Sequence, residues 1–292
     1  MKIHILLFYK FIPIKNPDKL RNTHLKFCKD LGLLGKVLIA SEGINGSISG
    51  TKKQVDVYKK ELRNNPLFSD IEFKEENSLH HPFNKMEIKL KNEIIRLDKK
   101  VDMRKKGKYI TPKDFLSLYK KKEDVIILDA RNEYESRVGK FKRAITSKID
   151  SFREFPDFID SLNIEKDKAI VMYCTGGIRC EKASAYMIEK GFRNVRQLHG
   201  GIIKFCQKYP DTAWEGKCFV FDKRLTSSIN QKDNPINNCL HCSKPTNFYN
   251  NCKNKTCNKL IFLCPNCEKS QHGCCSQDCK KILLAGNIAV KV

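Results

Sequence analysis

The sequence predicts an α/β domain, a parallel sheet with flanking helices, between an N-terminal α+β domain and an irregular cysteine-rich region. Two near-continuous apolar runs, "DVIILDA" and "KAIVMYC", alternate with helical stretches and are typical of buried parallel strands. Nine of the fourteen cysteines fall within residues 239–279. A chain of 292 residues can form two or three domains. We expect an N-terminal domain at 1–97, a basic linker at 98–109, the α/β domain at 110–215 and the cysteine-rich domain at 216–292.

Strand-like and helix-like patterns alternate in the N-terminal domain. Five segments have strand patterns: "IHILLFYKF", "KVLIA", "SISG", "IEFKEE" and "MEIKLKNEIIRL". One helix is predicted over residues 16–32, ending at Gly32, and a second over residues 51–64, beginning at Thr51. The order βαββαβ is that of a ferredoxin-like sandwich, a fold that by itself indicates no function.

The segment "SEGING", residues 41–46, joins two of these strands. Gly43, Asn45 and Gly46 are turn formers of the kind a β-hairpin uses, which favours a structural role. The alternative is a loop on the substrate side of the active site, with Glu42 and Asn45 as its polar groups.

The α/β domain opens with a helix at "TPKDFLSLY". Thr111 can cap this helix, Pro112 takes its first position and Asp114 completes the capping pattern. A later helix contains "EKASAYMIEK" and ends at Gly191. Sites in such sheets form at the carboxyl ends of strands. Cys174 directly follows a predicted strand and is therefore the candidate catalytic residue.

The loop after Cys174 supplies the setting that a reactive thiol needs. Backbone N–H groups, a helix N-terminus and an arginine stabilise a thiolate and lower its pKa to roughly 3.5–7.5. The predicted anion nest consists of Thr175, Gly176, Gly177, Ile178 and Arg179. The loop is one residue shorter than the Cys-x5-Arg phosphate cradle of cysteine phosphatases. It therefore suits a sulfur adduct such as a persulfide better than a phosphate. An inert buried cysteine would leave the glycines and the arginine unexplained.

Two neighbouring features have competing interpretations. Cys180 is either a thiol that resolves oxidised or persulfidated Cys174 as a disulfide, or a packing residue, and packing is favoured. Asp129 and Arg131 end a neighbouring strand, where a structural ion pair is favoured over proton transfer.

Two Cys-x2-Cys pairs in the tail, Cys239/Cys242 and Cys264/Cys267, are typical of a structural zinc site. Five further cysteines can complete a second site or substitute in the first: Cys252, Cys257, Cys274, Cys275 and Cys279. Disulfides are an alternative that a reducing compartment disfavours, and an iron–sulfur cluster is a third. We expect one or two zinc ions, and the sequence indicates no other resident cofactor.

The formal net charge of +23 favours a polyanionic partner, nucleic acid first. The alternative is that the charge reflects an AT-rich coding sequence, because such a sequence makes Lys, Asn and Ile frequent together. No apolar run approaches the roughly 20 residues that cross a bilayer. The first residues also lack a signal-peptide pattern. We therefore expect a cytoplasmic protein with reduced cysteines and no membrane partner.

The Cys174 loop, with "LDARNEYE" and "QLHGGI", resembles a rhodanese-like domain. The chain as a whole is similar to the bacterial tRNA uridine hydroxylase family, through segments that occur in order: "SEGINGSISG", "VDMRKKGKY", "VMYCTGGIRCEKASAYM", "HGGIIKF", "CFVFDKR" and the tail. The resemblance implies hydroxylation of the wobble uridine of tRNA to 5-hydroxyuridine, with molecular oxygen as co-substrate. It also implies that Cys174 is the essential cysteine.

One position departs from the rhodanese pattern. Gly139 is followed by Lys140 at a place where rhodanese-like sequences commonly have Gly-His. No histidine base is therefore assumed near Cys174. His199 precedes Gly200 and Gly201 at a predicted strand end and is interpreted as a loop residue rather than a catalytic one.

We therefore expect a tRNA-modifying enzyme whose outer domains hold the anticodon loop, with Arg179 and Lys182 meeting phosphate. A base in a single-stranded loop is presented at little cost, and DNA is not expected as a partner. A general persulfide sulfurtransferase is the first alternative, since it needs only the middle domain. The second is a non-enzymatic RNA-binding protein. The sequence does not determine the oligomeric state.

Overall fold

The computed structural model describes residues 2–121, 123–227 and 235–288. Its N-terminal part is one sheet with two helices: strands β1 (Ile3–Phe11), β2 (Leu34–Ala40), β3 (Gly43–Gly50), β4 (Phe73–Ser78) and β5 (Met86–Leu90), with α1 (Pro17–Asp30) and α2 (Lys52–Asn64). The strand order is β4-β1-β3-β2-β5. The predicted α+β sandwich is confirmed, and β5 extends its edge parallel to β2. The fifth strand ends at Leu90, so residues 91–97 of the predicted segment lie outside it.

Local sequence signals explain both helix starts. The side chain of Asn16 accepts a hydrogen bond from the N–H of Lys19 at 2.9 Å, at the start of α1. Thr51 and Gln54 form a reciprocal capping box at the start of α2. Gly32 follows α1 with a φ of +72°, a conformation that favours glycine.

The segment 41–46 is not the glycine-rich turn that the sequence predicts. Strand β3 already begins at Gly43, so only Ser41 and Glu42 form the turn. A Cβ on Gly43 would lie 2.1 Å from the carbonyl oxygen of Lys10 on β1. Gly46 lies inside the strand, where a Cβ would meet Phe8 at 2.7 Å. These glycines are explained by close packing within the sheet rather than by turn geometry.

The middle part is a parallel sheet of five strands in the order β6-β11-β10-β7-β9. Its strands are β6 (Lys108–Ile110), β7 (Ile126–Asp129), β9 (Ile145–Thr146), β10 (Ile170–Tyr173) and β11 (Val195–Leu198), and its helices are α3 (Pro112–Lys121), α4 (Glu133–Val138), α5 (Phe155–Ser161), α6 (Ile178–Glu189) and α7 (Gly201–Lys208). The predicted α/β class is confirmed. Residues 108–109, within the predicted linker, belong to edge strand β6. The domain boundaries otherwise stay predictions.

Apolar side chains cover both faces of this sheet. One face packs against α5 and α6, with Phe155 and Met187 in the core. The other face packs against α3 and α7, where the ring centroid of Phe141 lies 4.9 Å from Phe205 and 5.1 Å from Trp214. A small two-stranded antiparallel sheet of β8 (Gly139–Phe141) and β12 (Trp214–Gly216) closes this second face.

The cysteine-rich part has little regular structure, as predicted. Its elements are the pair β13 (Cys218–Phe219) and β14 (Thr226–Ser227), the pair β15 (Tyr249–Asn251) and β16 (Leu260–Phe262), and the helices α8 (Pro265–Ser270) and α9 (Gln277–Ile288). Three single turns of 3-10 helix complete the description, at Pro66–Phe68, Met103–Lys105 and Phe152–Glu154. None of the helices in the described ranges is long and apolar enough to cross a bilayer.

Candidate active site

Cys174 lies where the sequence predicts, directly after β10 and before α6. Its side chain is buried, and the N–H of Gly177 lies 3.1 Å from its sulfur. Gly177 has a φ of +104°, which turns the chain into the first turn of α6. A Cβ on Gly176 would meet Leu7 at 2.8 Å, so the loop also packs closely against β1 of the N-terminal domain.

The surroundings of Cys174 favour its thiolate. Burial alone would raise its pKa, because a buried charge loses its hydration. The Cys180 thiol, the Arg179 charge and the backbone N–H groups of Arg179 and Cys180 outweigh burial and lower the pKa to about 6. At neutral pH the sulfur is therefore mainly an anion, the form that reacts with electrophiles.

Cys180 lies beside Cys174 rather than facing away from it. It is fully buried in the first turn of α6, close enough to Cys174 for its thiol to help lower the pKa of that sulfur. Burial, and then this neighbouring thiolate, raise the pKa of Cys180 well above its usual value. Cys174 and Cys180 therefore form a thiolate–thiol pair.

Arg179 and Lys182 do not extend toward solvent as the sequence analysis expects. Arg179 makes a two-pronged ion pair with Glu135, at 2.5 and 2.7 Å. Lys182 is buried between Glu42, at 2.8 Å, and Glu93, at 2.6 Å. Both cations are already neutralised by carboxylates, so the expectation that they meet phosphate is wrong. The arginine still contributes its charge to Cys174.

Glu135 is a buried residue beside the Cys174 loop that the sequence analysis missed. It lies in α4 with no exposed surface, and its carboxylate also accepts hydrogen bonds from the N–H of Asn132 at 3.2 Å and from the Thr175 hydroxyl at 3.4 Å. The pattern Asn132-x2-Glu135 directly after a strand is a capping signal. That signal predicts the helix start, but it does not reveal the arginine that the carboxylate binds.

The ion pair predicted for Asp129 and Arg131 is present and fully buried. Arg131 donates to both Asp129 oxygens, at 2.9 and 2.7 Å, and to the carbonyl of Gly139 at 2.6 Å. This pair ties the end of β7 to β8, which agrees with the structural interpretation.

A second buried carboxylate joins the N-terminal domain to α6. Glu181 accepts hydrogen bonds from Tyr9 at 3.0 Å, from Lys106 at 2.7 Å and from Tyr109. Lys182, next in the chain, holds Glu42 of the turn at 41–42, whose carboxylate also accepts from the N–H of Ile94 at 2.7 Å. Glu42 is therefore a domain contact, which agrees with the structural interpretation for that residue. Asn45 instead lines the cavity beside Cys174, as the alternative interpretation expects.

Cys174 borders a cavity of about 270 Å³ that all three parts of the chain line. Its lining includes Asn45 and Lys74 from the N-terminal domain, Asn132 and Cys174 from the middle domain, and Phe221 from the cysteine-rich part. Thr175, Gly176, Ile178 and Arg179 of the predicted nest also line it. No histidine of the described chain lines this cavity. His199 instead contacts Glu72 at 3.1 Å and lines a neighbouring cavity.

Comparisons with known proteins cover the same three parts. Family models match residues 3–94 (UPF0176 acylphosphatase-like domain), 111–208 (rhodanese-like domain) and 215–280 (rhodanese C-terminal). A tRNA uridine(34) hydroxylase of Cytophaga hutchinsonii is 42% identical over 280 residues, 94% of this chain and 89% of its own. The chain belongs to the tRNA uridine(34) hydroxylase family. Proteins of that name from Bacillus licheniformis (42%, covering 94% of this chain and 88% of their own) and Staphylococcus epidermidis (41%, 96% and 90%) are similar to the same extent.

The tail of this family member brings eight cysteines into two clusters. Cluster 1 consists of Cys239, Cys242, Cys264 and Cys267, and cluster 2 of Cys252, Cys257, Cys275 and Cys279. Within each cluster the sulfurs lie within 4.8 Å of one another, so each can hold a metal ion. All fourteen cysteines are described, and none is in a disulfide. Cys274 is buried outside both clusters, with its sulfur 3.8 Å from the carbonyl of His272.

The two clusters interleave along the chain. The first and third cysteine pairs form cluster 1, and the second and fourth form cluster 2. The sulfur–sulfur distance is 3.6 Å between Cys242 and Cys264 and 3.5 Å between Cys275 and Cys279. Four thiolates at about 2.3 Å around a tetrahedral zinc ion are spaced about 3.8 Å apart. The clusters therefore fit that ion in size and ligand number.

Proposed function

We propose that the protein hydroxylates uridine 34 of tRNA at C5, using molecular oxygen, in the cavity beside Cys174. The observation that carries the proposal is that cavity, in which a buried thiolate faces a space lined by all three family-matched parts of the chain. Relatives named for this reaction are 41–42% identical over at least 94% of the chain. A general sulfurtransferase would need only the middle domain. That function would not explain why the N-terminal domain and the cysteine-rich part also line the cavity.

An anticodon loop is the expected partner for three reasons. A base must leave its stack to enter an enclosed cavity, and this costs least in a single-stranded loop. Phe221, which borders the cavity and is 64% exposed, offers an aromatic face on which a neighbouring base can stack. The net charge of +23 favours association with the phosphate backbone.

We assign two of the four electrons that reduce O2 to the Cys174–Cys180 pair, and the C5–H bond of the uracil supplies the other two. One oxygen atom of O2 replaces the hydrogen at C5 as a hydroxyl group. The second oxygen atom goes to the Cys174 thiolate, which takes up a solvent proton and becomes a sulfenic acid. Cys180 then forms the sulfur–sulfur bond, its proton leaving with the sulfenic oxygen as water. The two thiols are oxidised, O2 is reduced, and an external thiol resets the disulfide.

The tail would be held by two zinc ions, one in each cluster. The ions would neutralise crowded thiolates and stabilise a part that has only a small apolar core, formed by residues such as Ile261 and Leu263. Metal analysis of protein purified under reducing conditions should find two zinc ions per chain. Fully reduced protein that holds neither zinc nor another metal would contradict this assignment.

The proposal is tested by comparing tRNA nucleosides by mass spectrometry. A deletion strain should lack 5-hydroxyuridine and its derivatives, and the wild-type gene should restore them. In vitro, the new hydroxyl oxygen should carry the label of ¹⁸O2 and not that of labelled water. Unchanged nucleosides in the deletion strain, together with persulfide turnover by the purified protein, would favour the sulfurtransferase instead.

A further inference from the structure

Lys74 is a buried cation that no carboxylate holds. It lies in β4 with 7% of its surface exposed, and its ammonium forms no ion pair or hydrogen bond within the described residues. Two side-chain polar atoms of the described chain are sealed from solvent without a hydrogen-bond partner, and neither is the Lys74 ammonium. The ammonium therefore reaches open space. An unpaired charge is costly to bury, so its retention points to a ligand that it binds there.

This open space adjoins the reactive cysteine. Lys74 lines both the Cys174 cavity and the neighbouring cavity that His199 lines. Its Cδ lies 3.9 Å from the place that a Cβ on Gly176 would take, and its ammonium lies 5.0 Å from the centre of the Tyr9 ring. The Cys174 thiolate favours the charged form of Lys74. Lys74 thus brings a positive charge to the loop that holds the reactive sulfur.

The described lining of the Cys174 cavity contains two other cations, and both are neutralised. Arg179 makes the two-pronged ion pair already described. Arg224 is held by Asp222 and Glu76, each at 2.7 Å. Lys74 is therefore the cation of this lining that remains available to a bound molecule.

The cavity walls around this cation are largely apolar. They include Leu7, Ile95, Phe152, Ile178 and Val220. Molecular oxygen is itself apolar, so it enters such a space without the desolvation cost of a polar ligand. Once O2 accepts electrons it becomes anionic, and apolar surroundings strengthen its attraction to a nearby cation. The cavity can thus admit O2 and stabilise its reduced form.

Resting on the proposed function, we infer that Lys74 is a catalytic residue that stabilises the negative charge developing on oxygen as O2 is reduced. In that reaction the C5–O and S–O bonds form, the C5–H and O–O bonds break, and the C5 proton passes to solvent. The oxygen that stays on C5 keeps the electron pair of the broken O–O bond. Lys74 Nζ donates a proton to this oxygen, which gives the hydroxyl group, and the lysine regains a proton from solvent.

The charge state of Lys74 suits this role at neutral pH. Burial lowers its pKa to about 8, so the ammonium is mainly charged at pH 7 and loses its proton in the alkaline range. Nearby anionic groups raise this pKa and a nearby lysine lowers it. The ionisable groups around Lys74 are Glu72, Cys174, Glu181, Lys204 and the Tyr9 hydroxyl.

The inference is tested by measuring kcat/KM for O2 at saturating anticodon stem–loop RNA. Lys74→Met should lower this value by roughly 100-fold, the effect of losing one donor to a developing oxyanion. The variant should melt at no lower temperature than the wild type, because it removes an unpaired buried charge. Lys74→Arg keeps the charge and should retain most of the activity. Equal kcat/KM for O2 in the wild type and Lys74→Met would overturn the inference.

The pH profile gives a readout that a merely structural lysine would not move. In the wild type, kcat/KM for O2 should fall as the pH rises through about 8, because the ammonium loses its proton. In Lys74→Arg this fall should move above about pH 10, since a guanidinium stays charged there. The same alkaline fall in both proteins would contradict the role of Lys74.

Lys10→Met is the matched control. Lys10 lines the neighbouring cavity but not that of Cys174, and it pairs with Asp70. This variant should keep the wild-type kcat/KM for O2. Two results for Lys74→Met would overturn the inference. An equal loss in the alkylation rate of Cys174 would show that Lys74 acts on the thiolate, and a loss confined to the KM for RNA would show that it binds the RNA.

The proposed function can fail separately from this inference. If wild-type protein makes no 5-hydroxyuridine from the stem–loop, the proposed function is wrong. The role of Lys74 is then measured by the rate at which O2 oxidises the Cys174–Cys180 pair to a disulfide, with hydrogen peroxide as the other product. Lys74→Met should slow this oxidation while Lys10→Met does not. Equal rates in the wild type and Lys74→Met would overturn the inference there too.

Discussion

The Cys174 loop and the cysteine tail use the same side chain in opposite surroundings. Around Cys174 the protein itself supplies the positive charge, through backbone N–H groups and Arg179, so a single sulfur can remain an anion without a metal ligand. In the tail, four sulfurs crowd within 4.8 Å of one another in each cluster. Such a group is stable as thiolates only around a cation. The number of neighbouring sulfurs and the source of positive charge thus separate a reactive cysteine from a structural one.

The largest expected effect is loss of the tRNA modification without any loss of zinc from the tail. Cys174→Ala should reduce 5-hydroxyuridine in tRNA to the level of the deletion strain, because the thiolate is lost, while zinc per chain stays at two. Nucleoside mass spectrometry and metal analysis of the same preparation measure both. Cys206→Ala, a buried cysteine in α7, is the control and should retain the modification. A wild-type level of 5-hydroxyuridine in the Cys174→Ala strain would show that the reaction does not require the thiolate.

The converse change acts on the tail. Cys264→Ala should lower zinc from two ions to one and unfold cluster 1, since a structural zinc contributes on the order of 10 kcal/mol of folding free energy. Limited proteolysis should then cut the tail while alkylation of Cys174 continues. Cys274→Ala, one of the tail cysteines outside both clusters, should keep both ions. A loss of zinc in Cys274→Ala would show that the clusters are assigned incorrectly.

A third change tests the source of charge at Cys174. The alkylation rate of Cys174 should fall as the pH drops through about 6, the pKa of its thiol, because the thiolate is protonated below it. Arg179→Met removes a charge that lowers this pKa, so the midpoint should move to higher pH. The variant also leaves the Glu135 carboxylate buried without its ion-pair partner, which should cost about 3–5 kcal/mol of unfolding free energy. Arg179→Met with Glu135→Gln should recover part of that loss. An unchanged midpoint would contradict the role of Arg179.

The smallest effect concerns Cys180. Cys180→Ala should permit the first turnover, because Cys174 remains, although the pKa of Cys174 should rise without the Cys180 thiol. Later turnovers should slow, and Cys174 sulfenic acid should accumulate. A sulfenic-acid trap followed by peptide mass spectrometry measures this, and wild-type protein without added thiol should instead yield one Cys174–Cys180 disulfide per 5-hydroxyuridine. If Cys180→Ala turns over repeatedly and no sulfenic acid is trapped, Cys180 is a packing residue and not a resolving thiol.

Much of the fold was predictable because its signals are local. Apolar runs predicted the buried strands β7 and β10, and residues such as Thr51 and Thr111 predicted helix starts. "SEGING" was misread because glycine serves both turns and close strand packing, and only the contact of Gly43 with β1 distinguishes them. Arg179 was misplaced for a related reason. Its partner Glu135 lies 44 residues away, and no local pattern pairs them.

The order of residues was sufficient to place Cys174 and its glycine loop after a strand, and to group Cys239/Cys242 with Cys264/Cys267, because each depends on local patterns along the chain. Packing was needed to bring Asn45, Lys74, Asn132 and Phe221 around one cavity. It also divided the remaining tail cysteines, leaving Cys274 out of cluster 2. The physical reason is the same in both cases: these contacts join residues distant in sequence, so they exist only after separate elements have buried their apolar faces against one another.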